Sequence, residues 1–257
     1  MKYLNDVNYK DCVGKILKSK NSGDFKIVKY NNSRNVEIQF INTGYETSAQ
    51  LEHIKNGNVK DPYVASVHGV GIAGAKYPIT INGRNTKEYN LWNNMLKRCY
   101  SDGSKKQRPT YKGCKVSNNF LRYEYFYEWC HIQVGFNNKD WQLDKDLLVK
   151  GNKVYSESTC VFIPSEINSV LTKSTASSGE YLIGVYWSKT HKAFAAQVSK
   201  SKGKREHLGF FKTELEAFKA YKEAKESFVK EQANKWKSQI DDRAYNALMN
   251  YTVEITD

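Results

Sequence analysis

Alternating apolar and polar residues near the N-terminus predict a small β domain. Val36, Ile38 and Phe40 fall on one side of an extended chain, with Glu37 and Gln39 between them. A period of two is typical of a half-buried strand. Turns rich in asparagine and glycine separate four such segments. The pattern predicts strands near 12–18, 25–30, 35–41 and 45–49, closed into a small twisted barrel.

The apolar periodicity becomes helical in the middle of the chain. A helix is predicted from about 90 to 100, with Leu91, Met95 and Cys99 along one edge. A second helix, 119–131, carries crowded aromatic side chains. Such side chains are typical of a core, although interleaved aromatics also stack on nucleic-acid bases. The pattern leaves both interpretations open.

Three short strands and a helix are predicted after residue 180. In the middle strand Phe194, Ala196 and Val198 share one face, while Gln197 and Ser199 lie on the other. A capping box, Thr and Glu three residues apart, opens the helix, and alanines line its inner side. Small residues at these positions allow a helix to lie close across a three-stranded sheet.

Several spaced landmarks in this region resemble one DNA-binding family. They are Gly184-Val185, Phe194-Ala-Ala-Gln-Val198, His207-Leu-Gly-Phe-Phe-Lys-Thr213, Glu216-Ala217 and Ala220-Tyr221. The run resembles the Apetala/ethylene-response-factor type of domain, and is most similar to the versions found in phage and mobile endonucleases. The resemblance implies a three-stranded sheet in the DNA major groove with a helix behind it. The residues it places on the DNA-facing side are Tyr186, Ser188, Gln197, Ser199, Arg205 and His207.

The charge of the same region also favours nucleic acid. Residues 181–205 contain six Lys or Arg and no Asp or Glu. The lysines predicted to contact DNA are Lys189, Lys192, Lys202 and Lys204. The alternative is a sheet-and-helix core whose basic face is only solvated.

A second resemblance lies in the stretch 142–164. Gln142 to Leu147 is predicted to form a strand, and 151–160 a loop that enters a short helix. The stretch resembles the HNH (histidine–metal finger) nuclease core of mobile endonucleases. That family places Asp-His at the end of a strand, an Asn in the loop and a Glu in the following helix. The matching residues here are Asp144, Asn152 and Glu157, with Lys145 at the position of the catalytic His.

The lysine at this position matters for the reaction that the resemblance implies. Phosphodiester hydrolysis needs a base to activate water and a divalent ion at the phosphate. Lysine is normally a cation near neutral pH, so Lys145 is a base only if burial suppresses its charge; otherwise it binds phosphate. Asp144 and Asp146, two apart on one strand, are predicted to hold Mg²⁺. In the alternative they only pair with lysines, Asn152 is a turn residue and the fold is a nuclease relic.

The two resemblances, together with length and the apolar patterns, imply an α+β protein of three parts. The chain has 257 residues with 40% apolar content, enough for two or three small domains. Residues 1–75 are predicted to hold the small β-barrel module and a glycine-rich connection. Residues 76–172 hold the HNH-like ββα core with flanking helices. Residues 173–257 hold a linker, the sheet-and-helix DNA-binding module and a C-terminal helix.

The net charge and the apolar runs limit the class of partner. The charge is +13 and is spread over all three parts, which favours a polyanion. No apolar run approaches the roughly 18 residues of a membrane span, and the N-terminus has no signal-peptide pattern. A cytoplasmic protein is expected, in the bacterial host if a phage encodes it. The five cysteines form no Cys-x-x-Cys pair and are expected to be reduced and mostly buried.

Two main functions follow from these patterns. The first is a phage-type, double-stranded DNA-binding protein of HNH homing-endonuclease lineage, with a nuclease core impaired by Lys145. The second is an active, magnesium-dependent endonuclease that nicks or cuts DNA. A third and less favoured function is RNA or ribosome binding, or an anti-defence interaction. The N-terminal barrel is assigned either a protein partner or a structural role.

Overall fold

The computed structural model describes residues 9–171, 180–201 and 204–256. Over these residues the fold is mixed α+β, with seven α-helices and several small sheets, as the sequence predicts. Contacts group the chain into two compact units, 1–128 and 129–257. The three-part division stays a prediction, and the predicted linker at 174–179 lies outside the described residues.

Four antiparallel strands form the sheet of the N-terminal unit. They are β1 (Ile16–Lys18), β2 (Asp24–Asn32), β3 (Asn35–Phe40) and β4 (Glu46–Ala49), paired in that order. β2 and β3 align Phe25 with Phe40 and Ile27 with Ile38, and all four side chains are buried. Val36 is buried on the same side, so the predicted alternation in β3 is confirmed.

The predicted closure of this sheet into a barrel is wrong for the described residues. β1 pairs only with β2 and β4 only with β3, so the sheet is open. β1 has three residues, and the chain leaves β4 almost directly for α1 (Leu51–Lys55). Leu51 and Ile54 of α1 belong to the core cluster of this sheet. The role of this open sheet stays a prediction.

A tight hairpin leads to the first long helix. The elements are β5 (Thr80–Ile81), β6 (Arg84–Asn85) and α2 (Lys87–Tyr100). Asn82 and Gly83 join the two strands with φ angles of 51° and 72°, as in a type I′ turn. The Thr86 hydroxyl then accepts a hydrogen bond from the Tyr89 amide at 3.2 Å. This cap starts α2 three residues before the predicted boundary.

The inner side of α2 packs against aromatic residues from the next helical segment. The elements that follow are α3 (Asp102–Gln107), β7 (Lys115–Val116) and α4 (Tyr123–His131). Trp92 of α2 is fully buried, and its indole donates to the Phe120 carbonyl at 2.7 Å. Phe120, Tyr123 and Phe126 have no exposed surface. The core interpretation is therefore confirmed for these three aromatic side chains.

An antiparallel strand pair followed by a helix opens the C-terminal unit. The elements are β8 (Trp141–Asp144), β9 (Val154–Tyr155), β10 (Val161–Pro164) and α5 (Ser165–Leu171). β8 and β10 pair with Trp141 opposite Pro164 and Asp144 opposite Val161. All four residues of β10 are buried. The loop between β8 and β10 therefore has both of its ends held by a pair of antiparallel strands.

The helix predicted within 151–160 is wrong. The segment contains β9 and a turn, and the next helix, α5, begins only at Ser165. The Thr159 hydroxyl donates to the Val154 carbonyl at 2.7 Å, and the Ser156 amide donates to that hydroxyl at 3.1 Å. Side chains that bond nearby backbone groups in this way compete with helix formation.

The predicted three-stranded sheet with a helix across it is present in the same unit. Its elements are β11 (Val185–Ser188), β12 (Ala193–Ser201), β13 (Lys204–Phe211), α6 (Glu214–Trp236) and α7 (Asp242–Met249). The strands are antiparallel in the order β11-β12-β13. Thr213 and Glu216 make the predicted capping box, with the Glu216 amide donating to the Thr213 hydroxyl at 3.2 Å. α6 is thereby anchored at the point where β13 ends.

All five cysteines are buried, so the predicted burial of the thiols is confirmed. Burial is the largest influence on Cys160, and it raises the pKa of that thiol to about 12. The thiolate, which is the reactive form, is therefore not populated near neutral pH.

Gly184 supplies a test of the packing between the sheet and α6. Its φ is 79°, and a Cβ there would overlap the Tyr221 ring. Gly151 has a similar φ of 75° but nothing within 4 Å of an added Cβ. We expect Gly151→Ala to cost about 1 kcal/mol through backbone strain alone. Gly184→Ala should cost about 2–4 kcal/mol because overpacking is added.

The measurement is the free energy of unfolding by denaturant for the wild type and the two variants. Equal losses in the two variants would mean that α6 does not press on the sheet at Gly184. A larger loss in Gly184→Ala, with unchanged slope against denaturant, supports the close packing.

Candidate functional site

The sheet β11–β13 has one covered face and one exposed face. Ala196 and Val198 of β12 are buried in a cluster with Ala217, Phe218 and Tyr221 of α6. Side chains that alternate with them point away from α6. This second side, the free face, carries Tyr186, Ser188, Gln197, Ser199, Arg205, His207 and Phe210. The six residues predicted to face DNA thus share one surface, while their binding role stays a prediction.

Cross-strand register orders the free face into rows. Tyr186, Ala195 and Phe210 form one row, Gln197 lies opposite His207, and Ser199 lies opposite Arg205. Lys189 and Lys192 are exposed in the turn between β11 and β12, at one end of these rows. Lys202 lies outside the described residues, as does the side chain of Lys204. The free face therefore presents a small patterned surface of polar, aromatic and basic groups.

A β-bulge interrupts β13 in the middle of this surface. Ala196 pairs with Gly209, and the next residue, Gln197, pairs with His207. Leu208 is therefore an extra residue with no counterpart in β12. Gly209 has a φ of 132°, a conformation that side chains with a Cβ rarely adopt. The bulge is thus built on a glycine, as is common for such insertions.

The bulge decides which charges reach the free face. Without it, strict alternation from Phe210 would place Glu206 on the free face. Arg205 and His207 would then lie beneath α6. With the bulge, His207 and Arg205 share the side of Phe210, and Glu206 lies on the covered side. The one inserted residue therefore puts Arg205 and His207 on the free face in place of Glu206.

Glu206 is held on the covered face by an ion pair. The Lys200 ammonium lies 2.5 Å from the Glu206 carboxylate and over the Phe228 ring of α6 at 5.8 Å. The hydrogen bond with Glu206 raises the pKa of Lys200. Both groups are partly solvated, so the pair adds little to stability. Its effect is to keep a carboxylate away from the free face.

Two aromatic contacts on the free face were not predicted from the sequence. The His191 ring stacks on Phe210 with centroids 3.9 Å apart and planes at 25°. His207 lies 4.6 Å from the same ring at 55°. His191 is held in the turn by its ring nitrogen Nδ1, 3.1 Å from the Ser188 hydroxyl. The free face therefore has an aromatic group at its centre.

A signal for this group is present in the sequence. Phe210 and Phe211 are adjacent on one strand, so only one of them can face α6. Phe211 packs against the cluster under the helix, while Phe210 is 43% exposed. When only one face of a sheet is covered by a helix, two adjacent aromatic residues on a strand predict that one of the two rings is exposed.

The HNH-like stretch folds into a tight loop after β8. Asp144 ends the strand, and its Oδ1 accepts hydrogen bonds from the amides of Asp146 at 2.8 Å and Leu147 at 2.7 Å. Burial raises the pKa of Asp144 more than these bonds lower it. Asp146 lies in the bend beyond the strand, so the prediction of two carboxylates on one strand is wrong. The Asp144 side chain caps the turn that follows β8, and this turn carries Asp146 away from the strand.

Lys145 lies buried at the centre of the loop. Its side chain is 7% exposed, and Nζ lies 2.5 Å from the Asp146 carboxylate. Nζ also donates to the Asn152 carbonyl at 3.0 Å and lies 5.6 Å from the Tyr155 ring centre. A carboxylate, a carbonyl and an aromatic ring all stabilise an ammonium ion. This geometry suits a structural cation better than a base.

The other two predicted catalytic residues have local structural contacts. The Asn152 amide group donates to the carbonyls of Lys145 and Val154, both at 2.7 Å. Its oxygen accepts from the Val154 amide at 3.0 Å. Glu157 lies in the turn before β10, not on a helix, and its carbonyl accepts from Arg243 at 3.2 Å. The predicted helical position of Glu157 is therefore wrong.

The donor groups of this loop fit Mg²⁺ poorly. Within the described ranges, no three His, Cys, Asp or Glu residues lie together as a metal-binding group. One oxygen of Asp144 is occupied by two amides, and the Asp146 carboxylate is paired with Lys145. An ammonium beside a carboxylate repels a cation that would use the same oxygens. The groups of the loop therefore do not support a catalytic step through a metal.

Comparison with known proteins adds no family to this geometry. No protein-family model matches the chain, and no curated protein or solved structure matches it significantly. In the part of the chain that the structure describes, no helix is both long and apolar enough to cross a membrane. The free face and the loop themselves therefore carry the indications of function.

The raised pKa of Asp144 predicts a pH-dependent stability difference. The folded protein holds this proton more tightly than the unfolded chain does. Above the pKa of Asp144 in the folded protein, the buried charge lowers the free energy of unfolding. Below 3.8, the ordinary pKa of an aspartate, the carboxyl is protonated in both states and this loss disappears. Asp144→Asn keeps an oxygen for the two amides and removes the charge. We expect the variant to gain stability over the wild type as pH rises above about 3.8, because only the wild type then acquires a buried charge.

Urea unfolding at several pH values measures this difference. The control is Asp242→Asn, which removes an exposed carboxylate in the first turn of α7. A difference between Asp144→Asn and wild type that does not change with pH would contradict the assignment of burial as the main influence on Asp144.

Proposed function

We propose that this protein binds double-stranded DNA through the free face of the β11–β13 sheet. The observation that carries the proposal is the separation of charge across the sheet. Arg205 lies on the free face with Lys189 and Lys192 at its end, and no described side chain of that face is acidic. Glu206 is paired with Lys200 on the opposite side. A basic surface of this kind attracts a polyanion and repels basic partners.

The dimensions of the free face suit the major groove of B-form DNA. Neighbouring strands lie about 4.8 Å apart, so three strands span roughly 10 Å. The major groove is about 12 Å wide and admits a β-ribbon. The covered side carries α6, which leaves the other side open for docking. The resemblance to the Apetala/ethylene-response-factor type of domain implies the same orientation.

The polar side chains of the free face match base edges. Arg205 can donate two hydrogen bonds to O6 and N7 of guanine, and Gln197 can pair with N6 and N7 of adenine. The lysines of the turn are placed to contact phosphates, which fix position without reading sequence. In A-form RNA the major groove is deep and narrow. The width of the sheet therefore favours duplex DNA over duplex RNA.

We further propose that the HNH-like loop is not a working nuclease site. The support is the buried ammonium of Lys145, which occupies the position of the expected base and neutralises Asp146. Asn152 uses both ends of its side-chain amide to hold the loop together. The loop then serves as a frame between β8 and β10, and the protein is a DNA-binding member of a nuclease lineage.

Arg205→Ala tests the docking face against a matched lysine. We expect wild-type affinity for duplex DNA to fall steeply with salt, with a log–log slope near −4 to −5 if about five phosphates are neutralised. Arg205→Ala should lose about 1–3 kcal/mol at preferred sites and flatten the sequence preference. Lys200→Ala removes the same charge from the covered side and should leave the sequence preference intact. Fluorescence anisotropy on a panel of duplexes measures all three proteins.

Two outcomes would count against the docking face. Equal effects of Arg205→Ala and Lys200→Ala would show that only the total charge matters. Wild-type affinity that is insensitive to salt would remove the electrostatic basis of the proposal.

A plasmid-nicking assay tests the loop. With Mg²⁺ or Mn²⁺ we expect no nicking by the wild type, because no group in the loop is placed to activate water. Lys145→Ala should weaken folding, since the Asp146 carboxylate and the Asn152 carbonyl lose their donor. Metal-dependent nicking by the wild type that disappears in Asp144→Ala would establish the endonuclease instead.

A further inference from the structure

The ring of Phe210 is partly exposed and is also in contact with two histidine side chains. His191 lies in the turn beyond the end of β11, while His207 lies one row further along β13. The two imidazoles therefore approach Phe210 from opposite ends of the strand, at 3.9 Å and 4.6 Å. Phe210 is nevertheless 43% exposed. The two imidazoles therefore cover only part of the ring.

These contacts restrict what Phe210 can do. An aromatic ring that stacks on an unpaired base needs a bare face. His191 covers one face of Phe210 almost in parallel, and His207 crowds the ring from the other direction. The two imidazoles therefore compete with a base for the ring, which disfavours base stacking and insertion between base pairs. An apolar edge pointing outward from the sheet remains.

The row that contains Phe210 is apolar across the whole sheet. Tyr186 and Phe210 flank Ala195. Ala195 has no exposed surface, although it lies on the free face, so its neighbours cover it completely. Tyr186 and Phe210 are exposed by 39% and 43%. The result is an apolar strip between the turn lysines and the polar row of Gln197 and His207.

The major groove offers one kind of apolar group to such a strip. Base edges there present hydrogen-bond donors and acceptors, apart from the methyl group at C5 of thymine. Burying a polar edge against Phe210 would leave it without a hydrogen-bond partner. We propose that Phe210, with Tyr186, forms a subsite for the 5-methyl group of a pyrimidine. This inference rests on the proposed binding of duplex DNA and adds a determinant of specificity to it.

The proposal is tested with duplexes that differ only by methyl groups. The probes are alternating poly(dA-dT) against poly(dA-dU), and poly(dG-dC) against its 5-methylcytosine form, at equal salt with the full-length chain. We expect roughly three- to fivefold tighter binding for each methyl group that enters the subsite, the effect of burying one carbon. The preference should appear in at least one of the two probe pairs. The slope against salt should not change, because no charge differs.

Variants connect the preference to the ring. Phe210→Ala should abolish the difference between methylated and unmethylated probes, and Phe210→Leu should retain part of it. Leu215→Ala is the matched control, since Leu215 is 48% exposed but lies on α6. It should leave the preference unchanged.

The wild type tests whether the methyl preference exists, whatever the variants do to folding. Salt-dependent binding to all probes with no response to methylation would overturn the methyl subsite and leave DNA binding standing. Failure to bind any duplex would overturn the proposed function itself. A methyl preference that survives in a folded Phe210→Ala variant would assign it to another residue.

Discussion

One helix can cover only one face of a sheet, and the candidate interface follows from this constraint. α6 packs its small residues against β12, which brings the alternate side chains of all three strands onto an uncovered surface. Ala196 and Ala217 make the close approach possible, because larger side chains would lift the helix. The polar free face is thus the necessary counterpart of the apolar packing beneath it.

The loop that follows β8 shows how residues that match a family pattern can take structural roles. The Asp144 side chain accepts from backbone amides of the loop, and Lys145 and Asn152 each donate to the other's backbone carbonyl. Groups engaged in this way resist reorganisation, since each broken bond leaves a buried polar atom. Substituting one member would disturb the others. A match to the residue pattern of a family therefore does not by itself imply the chemistry of that family.

The sequence predicts most elements of this protein but not all of their relations. Strong periodicity locates β3, α2, β12 and α6, because burial of one side fixes the pattern directly. The predicted closure of the N-terminal sheet is wrong, since closure depends on strands distant in sequence. The helix predicted before residue 160 is wrong because competition by serine and threonine hydroxyls is invisible in apolar periodicity. The contact between His191 and Phe210 depends on how a turn folds over the sheet, which no local pattern specifies.

The bulge at Leu208 gives the chain a particular sensitivity to changes in length. The bulge determines the face of the sheet on which Arg205 and His207 lie. The number of residues between them and Gly209 therefore matters for the charge of the free face as much as the residue types do. A deletion of one residue that removed the bulge while the pairing partners of Arg205 and His207 stayed in place would preserve the surface. A deletion that instead shifted these partners by one position would bury the cations and expose Glu206. The pairing of Arg205 and His207 with β12, and not the length of the segment alone, thus decides which charges reach the surface.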